Sequence, residues 1–190
     1  MGYAGNAGIF LIKTLFGLYI LAIMLRFLFQ WVRADFYNPL SQFLVKVTNP
    51  PLLPLRRIIP GFGGIDLASV VLMLLLQILE LILVGLVRGY SFQPLGLFVL
   101  SIAELSSLLL NVFFFSILIQ VILSWVNPGG YNPATALLYS LNEPVLRPAR
   151  RLIPPISGLD LSPIVVMIGL QLATYLVVAP LSDMGRGLLF

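Results

Sequence analysis

Residues 54–60 read Pro-Leu-Arg-Arg-Ile-Ile-Pro, and residues 148–154 read Pro-Ala-Arg-Arg-Leu-Ile-Pro. The two strings lie 94 positions apart, and the agreement around them needs no gap: 20 of the 47 residues in 31–77 are identical in 125–171. Two copies of a 94-residue unit account for nearly all of the 190 residues. The sequence therefore predicts a tandem duplication, and each feature has to be compared between the two copies.

The composition indicates a membrane protein. Hydrophobic residues make up 59% of the chain and charged residues 9%, with a mean hydropathy of +1.05, whereas a soluble domain carries about 25% charged residues. Four segments are long and apolar enough to cross about 30 Å of hydrocarbon, at 8–32, 68–87, 97–126 and 163–181. We therefore predict an all-α membrane protein with four transmembrane helices, two in the first repeat (1–94) and two in the second (95–190).

The number of crossings sets the orientation of the repeats. Two crossings per repeat bring the second copy into the membrane in the same direction as the first, so we predict parallel repeats whose long loops, 33–67 and 127–162, share one face. Most basic residues fall in these loops: Arg33, Lys46, Arg56, Arg57, Arg147, Arg150 and Arg151. The segments on the other face hold Arg88 and Arg186. The positive-inside rule then predicts cytoplasmic loops and periplasmic termini, in the inner membrane of a bacterium.

Each long loop is predicted to begin with a short amphipathic helix at the membrane surface. Asn38 and Asn132 are expected to cap these helices, because Asn accepts hydrogen bonds from free N–H groups and the proline after it suits a first turn. Apolar residues recur at helical spacing, as Leu40, Phe43, Leu44 and Val47 and as Ala134, Leu137, Leu138 and Leu141. The polar residues of the first helix are Ser41, Gln42, Lys46 and Thr48. We expect the apolar stripe to contact lipid or the bundle, and the helices to end at Pro50, Pro51 and Pro144.

The Pro-Arg-Arg strings are predicted to form a separate turn after each surface helix, because proline at both ends restricts the backbone and removes N–H donors. Gly63 and Gly64 then permit a sharp change of direction in the first copy. Asp66 and Asp160 come next, immediately before the following transmembrane helices. A carboxylate is favourable at a helix N-terminus, so both are candidate helix caps.

The basic residues of the loops are the candidate groups for lipid or partner binding. They are Arg56, Arg57, Arg150, Arg151, Lys46 and Arg147. Three roles stay open for the doubled arginines: contact with anionic headgroups, an internal ion pair with Asp66 or Asp160, and docking of a partner protein. Nucleic-acid binding is not expected, because the basic residues are sparse and are flanked by proline and isoleucine.

Three doubled motifs carry a resemblance to a known family. They are W-[VI]-x(4)-Y-N-P, P-x-L-x-P-x-R-R-[IL]-I-P and G-[IL]-D-L-x-x-[VI]-V. The chain resembles the YggT family of small bacterial integral membrane proteins, which has plastid relatives, and the resemblance covers nearly the whole chain. It implies a link to osmotic stress tolerance and ion homeostasis. The plastid relatives imply assembly of a b-type cytochrome, organelle division or nucleoid partition. The resemblance implies no catalytic residues.

Three ionisable residues fall inside the predicted spans, where such groups are the usual functional candidates. Lys13, Glu80 and Glu104 all lie in the outer half if the topology holds, and we predict that they form an intramembrane polar cluster. None is matched in the other repeat. Two roles stay open: an ion pair that holds helices together, and a site that handles protons or cations. Arg26 is expected to extend its charged end to the cytoplasmic interface.

Three uncharged polar residues inside the spans are predicted to form hydrogen bonds between helices. Gln77 and Gln171 are matched between the repeats, and Asn111 lies in the third span. Interhelical hydrogen bonding is preferred for them over a role in lining a pore.

The residue types that are absent exclude several chemistries. The chain contains no Cys and no His, which excludes thiol nucleophiles, disulfides and histidine bases or haem ligands within it. We expect no catalytic site, no metal site and no cofactor, and therefore no enzyme. The leading hypothesis is a membrane adaptor or assembly factor with a cytoplasmic surface for lipid and a partner. The alternative is a small ion-conducting or transport protein. Association with itself or with another membrane protein is expected in either case.

Overall fold

The computed structural model describes residues 2–89, 93–126, 132–153 and 160–189. The helices are α1 (Tyr3–Trp31), α2 (Pro39–Ile58), α3 (Leu67–Arg88), α4 (Pro94–Val126), α5 (Pro133–Leu152), α6 (Ser162–Ala173) and α7 (Ala179–Gly187), with a π-helical turn at Thr174–Val178 between the last two. Each repeat thus consists of a long helix, a shorter intervening helix and a second long helix, which confirms the predicted all-helical duplication.

Within the described residues, four helical segments are long and apolar enough to cross a membrane, as predicted: α1, α3, α4 and the continuous run Ser162–Gly187. The run Ser162–Gly187 extends beyond its predicted end at 181 because the helix continues through Pro180. Proline removes one N–H donor and crowds the preceding turn. The turn widens here, and the N–H of Ala179 bonds to the carbonyl of Thr174, five residues back.

The two intervening helices are longer than predicted. α2 and α5 each contain 20 residues, and they continue through Pro50, Pro51 and Pro144, where we expected them to end. The Arg pair of each Pro-Arg-Arg string therefore lies in the last turn of a helix and not in a separate turn. Pro154, the last residue of the second string, lies outside the described residues.

A contact with α1 helps to explain why α2 tolerates its prolines. Pro51 has no N–H, so the carbonyl of Val47, four residues earlier, loses its helical partner. The hydroxyl of Tyr19 in α1 donates to that carbonyl at 3.3 Å. The neighbouring helix thus supplies a hydrogen bond that the proline removed, and an isolated helix has no such partner.

The face that α2 turns toward the bundle is not the predicted apolar stripe. Its buried residues are Ser41, Leu44, Thr48 and Leu52. Leu40 and Phe43 are exposed, so the stripe is divided between the bundle and the outside. Ser41 and Thr48, which we assigned to the polar side, are buried instead, because two successive spans cover this face of α2.

Both intervening helices lie at the same end of the bundle, as parallel repeats require. The side-chain amide of Asn38 donates to the backbone carbonyl of Pro133 at 2.7 Å, so the N-termini of α2 and α5 are neighbours. The tight turn between Phe62 and Ile65, in which Gly63 and Gly64 have positive φ angles, brings the chain from α2 to α3.

The spans pack in the order α1, α3, α4 and the last span. The main core joins both repeats and consists of Ile20, Ile23, Met24, Leu28, Leu52, Ala68, Leu72, Met73, Val112, Phe113 and Leu141. The last span packs on α4 through glycine. A Cβ on Gly185 would lie 2.9 Å from the backbone N of Leu100, and one on Gly96 would lie 2.6 Å from the carbonyl O of Leu188. Only glycine permits this approach at either position.

Candidate functional site

One ion pair is repeated in both copies and joins each intervening helix to the span that follows. Arg56 lies 2.5 Å from Asp66, and Arg150 lies 2.9 Å from Asp160. Arg150 also contacts Glu143 at 2.8 Å. Asp66 is 6% exposed and Asp160 is 35% exposed, so the first pair is the more buried one. Of the three roles left open for the doubled arginines, the internal ion pair is present for the first arginine of each pair.

The electrostatics of these pairs favour the charged forms. Burial raises the pKa of Asp66, but the hydrogen bonds from Arg56 and Ser69, together with the charge of Arg56, outweigh it and hold that pKa below its ordinary value. Burial also acts upward on the pKa of Asp160, and the hydrogen bonds from Ser162 and Arg150 lower it overall. Burial lowers the pKa of Arg150, but the carboxylates around it raise it above its ordinary value.

The remaining candidate cations of the loops face outward. Lys46, Arg57, Arg147 and Arg151 are exposed, and none forms an ion pair with another residue in the described ranges. We call these four residues the surface cations. Each doubled arginine is thus divided between two tasks, because the first member closes an internal ion pair and the second member points away from the bundle.

The predicted caps are present at the starts of α2 and α5. The side chain of Asn38 accepts a hydrogen bond from the N–H of Leu40 at 3.0 Å. Asn132 and Thr135 form a reciprocal capping box, in which each side chain accepts a hydrogen bond from the other residue's N–H, at 2.9 and 3.0 Å.

The two aspartates differ in how far they act as the predicted helix caps. Asp66 occupies the position before α3, but its side chain bonds to Arg56 and to the hydroxyl of Ser69 and not to a backbone N–H. Asp160 does accept a backbone hydrogen bond, from the N–H of Ser162 at 2.9 Å. The nearby arginine attracts the carboxylate of Asp66 more strongly than the partial charge of the helix end does.

A second repeated contact lies between the first span of each repeat and the intervening helix, and the sequence analysis missed it. Arg26 donates to the hydroxyl of Thr48 at 2.7 Å. At the equivalent positions 94 residues later, Asn142 donates to Gln120 at 2.7 Å. The residue types differ between the two copies. The signal available in the sequence was that both positions are polar in both copies. Arg26 is 7% exposed, so its charged end is covered by α2, and its position at the cytoplasmic interface stays a prediction.

No ion pair joins the residues of the predicted intramembrane cluster in the described ranges. Glu80 is buried, with 8% exposure, and accepts a hydrogen bond from Gln77 at 3.3 Å. Lys13 and Glu104 are exposed, and neither forms an ion pair with Glu80 in the described part of the chain. The cluster therefore stays a prediction, and the Gln77–Glu80 contact is what the structure adds to it.

The hydrogen bonds of Gln77 and Asn111 remain within single helices, in contrast to the prediction. Gln77 bonds to Glu80 in α3, and Asn111 donates to Ser107 in α4 at 3.4 Å. Asn111 is exposed, and Gln171 is half-buried. An acceptor three or four residues away on the same helix is within reach of these side chains and needs no partner helix. Among the described residues, no group of three His, Cys, Asp or Glu side chains is arranged to hold a metal ion.

Comparison with known proteins agrees with the duplicated architecture. The family described as CCB3/YggT matches the chain twice, at residues 5–87 and 99–181. The chain belongs to the CCB3/YggT family. It is 52% identical over 181 residues to the uncharacterised protein PA0392 of Pseudomonas aeruginosa, covering 94% of this chain and 92% of the relative.

Two further relatives extend the CCB3/YggT family match. A protein of Vibrio alginolyticus, described as uncharacterised and encoded in the proC 3′ region, is 47% identical over 174 residues, which cover 90% of this chain and 93% of the relative. The uncharacterised protein YggT of Escherichia coli K12 is 38% identical over 187 residues, which cover 97% and 96%. No solved structure matches the chain. The resemblance inferred from the Pro-Arg-Arg motifs is therefore confirmed.

Proposed function

We propose that this CCB3/YggT-family protein is a non-enzymatic adaptor or assembly factor of the inner membrane, which binds anionic lipid headgroups and a partner protein and supports tolerance of osmotic stress. The observation that carries the proposal is the division of each doubled arginine. Arg56 and Arg150 hold the intervening helices to the spans, and Arg57 and Arg151 stay exposed at the same end of the bundle. A fixed helix that presents a free cation is suited to docking.

The geometry supports a binding surface formed by two helices, each held at both ends. The bond between Asn38 and Pro133 joins the starts of α2 and α5, and the two ion pairs fasten their ends. The surface cations are therefore held on helices that are fixed at both ends. Each basic group near an anionic membrane contributes about 1 kcal/mol, so four of them contribute about 4 kcal/mol. That is enough to align the surface with the headgroups and leaves arginine available as a contact for a partner.

The orientation we propose puts these loops in the cytoplasm and both termini in the periplasm, because seven basic residues fall in the loops and two on the other face. The last span is the least buried of the four. Its long exposed face supports association with a second copy of the chain or with another membrane protein, in which packing replaces lipid contact.

Growth under osmotic upshift tests the proposal in a strain that lacks the native gene. Replacing Arg57 and Arg151 by Gln removes two surface cations and leaves both ion pairs in place, so the variant should insert normally and fail to restore growth. The matched control is Arg88→Gln with Arg186→Gln, which removes the same charge from the other face and should restore growth. Full restoration by the Arg57 and Arg151 variant, at wild-type protein level, would refute a docking role for these residues.

Ion conduction is the second candidate, and Glu80 favours it. This carboxylate is buried within α3, and Gln77 is its hydrogen-bonding partner in the described structure. A buried carboxylate inside a span is a common feature of proton and cation pathways. Purified protein in proteoliposomes should be tested for ion flux at rest and under osmotic shock, beside Glu80→Gln with Glu104→Gln. Flux that disappears in the variant would make the protein a conductor, and the absence of flux from well-inserted protein would favour the adaptor.

A further inference from the structure

Three arginines line one cavity in the first repeat. The cavity lies between the end of α1 and the start of α2, has a volume of about 310 Å³, and is lined by Arg26, Arg33 and Arg56 among others. We call it the arginine cavity. Asp66 neutralises Arg56, and the other two guanidinium groups have no carboxylate partner in the described ranges. The cavity therefore carries an excess of positive charge at the depth of the intervening helices.

One buried group in this cavity lacks the partner that burial normally requires, and a second has donors that its described bonds do not use. Ser41 lines it and is 7% exposed, and its hydroxyl has no hydrogen-bond partner among the described residues. Arg26 is equally buried and uses only Nη1 in its described bonds, to Val45 and Thr48, although a guanidinium has five N–H donors. Buried polar groups are nearly always satisfied. A hydroxyl and spare N–H donors around one cavity would be satisfied by an acceptor with several oxygens.

The end of α1 brings Arg33 to the arginine cavity. Its φ angle is +54°, the left-handed conformation that commonly ends a helix. The N–H groups of Arg33 and Ala34 bond to the carbonyls of Gln30 and Phe29, which is a Schellman ending of α1. This turn of the chain places the side chain of Arg33 in the cavity wall.

An apolar groove adjoins the arginine cavity. It has a volume of about 750 Å³ and lies between α1 and α2 of the first repeat and α4 and α5 of the second. We call it the inter-repeat groove. Phe29 and Leu44 line both spaces, so the arginine cavity and the inter-repeat groove share one wall. A free phosphate ion has no apolar part that would occupy the inter-repeat groove. A phospholipid has both the phosphate and the acyl chain that these adjoining spaces fit.

The second repeat provides a comparison within the same molecule. Its corresponding cavity is lined by Gln120, Arg150 and Asp160, among others. Gln120 occupies the position of Arg26, and Asn127 stands in the sequence where the first copy has Arg33. Arg150 is neutralised by its carboxylate partners. The positive excess thus belongs to the first repeat and not to the repeated fold as such.

We propose that the arginine cavity binds the phosphate of an anionic phospholipid, with an acyl chain in the inter-repeat groove. The guanidinium groups of Arg26 and Arg33 and the hydroxyl of Ser41 are positioned to donate hydrogen bonds to the phosphate oxygens, which are strong when both partners are charged. The proposal specifies the lipid-binding part of the proposed function. It rests on that function in one respect, which is that α2 lies at the depth of the lipid headgroups. It predicts one tightly held lipid for each chain.

Native mass spectrometry of the purified protein tests this. Titration with phosphatidylglycerol should give one retained lipid, whereas phosphatidylcholine at the same concentration should be retained far less. Arg33→Gln leaves the Arg26–Thr48 bond untouched. It should weaken the binding of phosphatidylglycerol at least fivefold, the effect expected for one cation near a phosphate. Ser41→Ala should also weaken it, and Arg88→Gln, on the other face, should not. Equal retention by all four proteins, or equal retention of both lipids, would overturn the proposal.

A second arm separates lipid from free phosphate. Inorganic phosphate in excess should fail to displace the bound phosphatidylglycerol, because it cannot fill the inter-repeat groove. Displacement at equal concentration would overturn the lipid assignment. The test is independent of the growth assay of Arg57→Gln with Arg151→Gln. If a variant holds the lipid normally but fails in the growth assay, the proposed lipid site stands. If Arg33→Gln loses lipid binding, the role of the surface cations is still decided by the growth assay.

Discussion

Arg56 and Asp66 are joined by an ion pair of 2.5 Å between the last turn of α2 and the residue that precedes α3. Asp66 also accepts a hydrogen bond from Ser69 in the first turn of α3. The helix between the two spans is therefore held to the second span by charge and hydrogen bonding. Arg57, the next residue along the chain, is exposed, so adjacent residues of one type should respond differently to the same substitution.

The first prediction concerns this difference. Arg56→Gln should lower the free energy of unfolding by about 2 kcal/mol, because it leaves the carboxylate of Asp66 buried without its charged partner. Arg57→Gln should change it by less than about 0.5 kcal/mol, as for other exposed residues. Equilibrium unfolding in mixed SDS micelles measures both values. Equal losses in the two variants would contradict the assignment of Arg56 to an internal ion pair.

The second prediction concerns pH. The pKa of Asp66 is lower in the folded chain than its ordinary value, so the stabilisation is complete above the unfolded pKa, about 3.9, and is lost as the pH falls through the folded pKa. The melting temperature of the wild type should therefore fall steeply below about pH 4. Asp66→Asn should start lower and show a shallower decline over the same range. Parallel pH curves for the two proteins would exclude Asp66 as the source of the acid sensitivity.

The third prediction exploits the contact that the repeats share. Arg26 bonds to Thr48, and Gln120 bonds to Asn142 at the equivalent positions. Arg26→Gln combined with Thr48→Asn rebuilds the second repeat's contact inside the first. The double variant should be more stable than the sum of the two single losses by about 1 kcal/mol. Four unfolding curves complete the cycle, and strict additivity would show that these positions do not act as a pair.

The fourth prediction tests how proline is accommodated in α2. Tyr19→Phe should cost about 1 kcal/mol, because the carbonyl of Val47 loses the hydroxyl that replaces its helical partner. In a Pro51→Ala background the same change should cost clearly less, since the restored N–H of residue 51 can bond to that carbonyl. An undiminished cost in the Pro51→Ala background would mean that the hydroxyl acts elsewhere.

The fifth prediction concerns topology. The chain has no cysteine, so single cysteines can be introduced into it without first removing native ones. Lys46→Cys and Arg147→Cys should react with an impermeant maleimide only after the cytoplasmic side is opened, whereas Tyr3→Cys and Arg88→Cys should react in intact cells whose outer membrane has been permeabilised. Labelling of Lys46→Cys and Arg147→Cys from opposite sides would contradict parallel repeats.

The four spans and the duplication were predictable because they depend on quantities that a sequence carries directly. Apolar length determines whether a helix crosses the membrane, and identity at a constant offset reveals the repeat. The caps at Asn38 and Asn132 were predictable for a similar reason, since they depend on residues close in the chain.

The features that were missed depend on contacts between segments. Propensity alone ends a helix at Pro50, and only the hydroxyl of Tyr19, from another span, shows how the adjacent Pro51 is tolerated. The rotation of α2, which buries Ser41 and Thr48, is set by the shapes of its neighbours. Arg26 was expected to extend its charged end freely, as it would from an isolated span, but α2 covers it and Thr48 accepts its hydrogen bond. No local pattern in the sequence encodes these relations.

The close fit of Gly96 and Gly185 has a consequence for the synthesis and membrane insertion of the protein. The segment that carries Gly185 is synthesised after α4, so α4 enters the membrane before the surface that will cover it exists. Until the last span is added, the notch at Gly96 stays open to lipid. A polypeptide that stops before Ser162 would lack this cover, and the face of α4 around Gly96 would stay in contact with lipid.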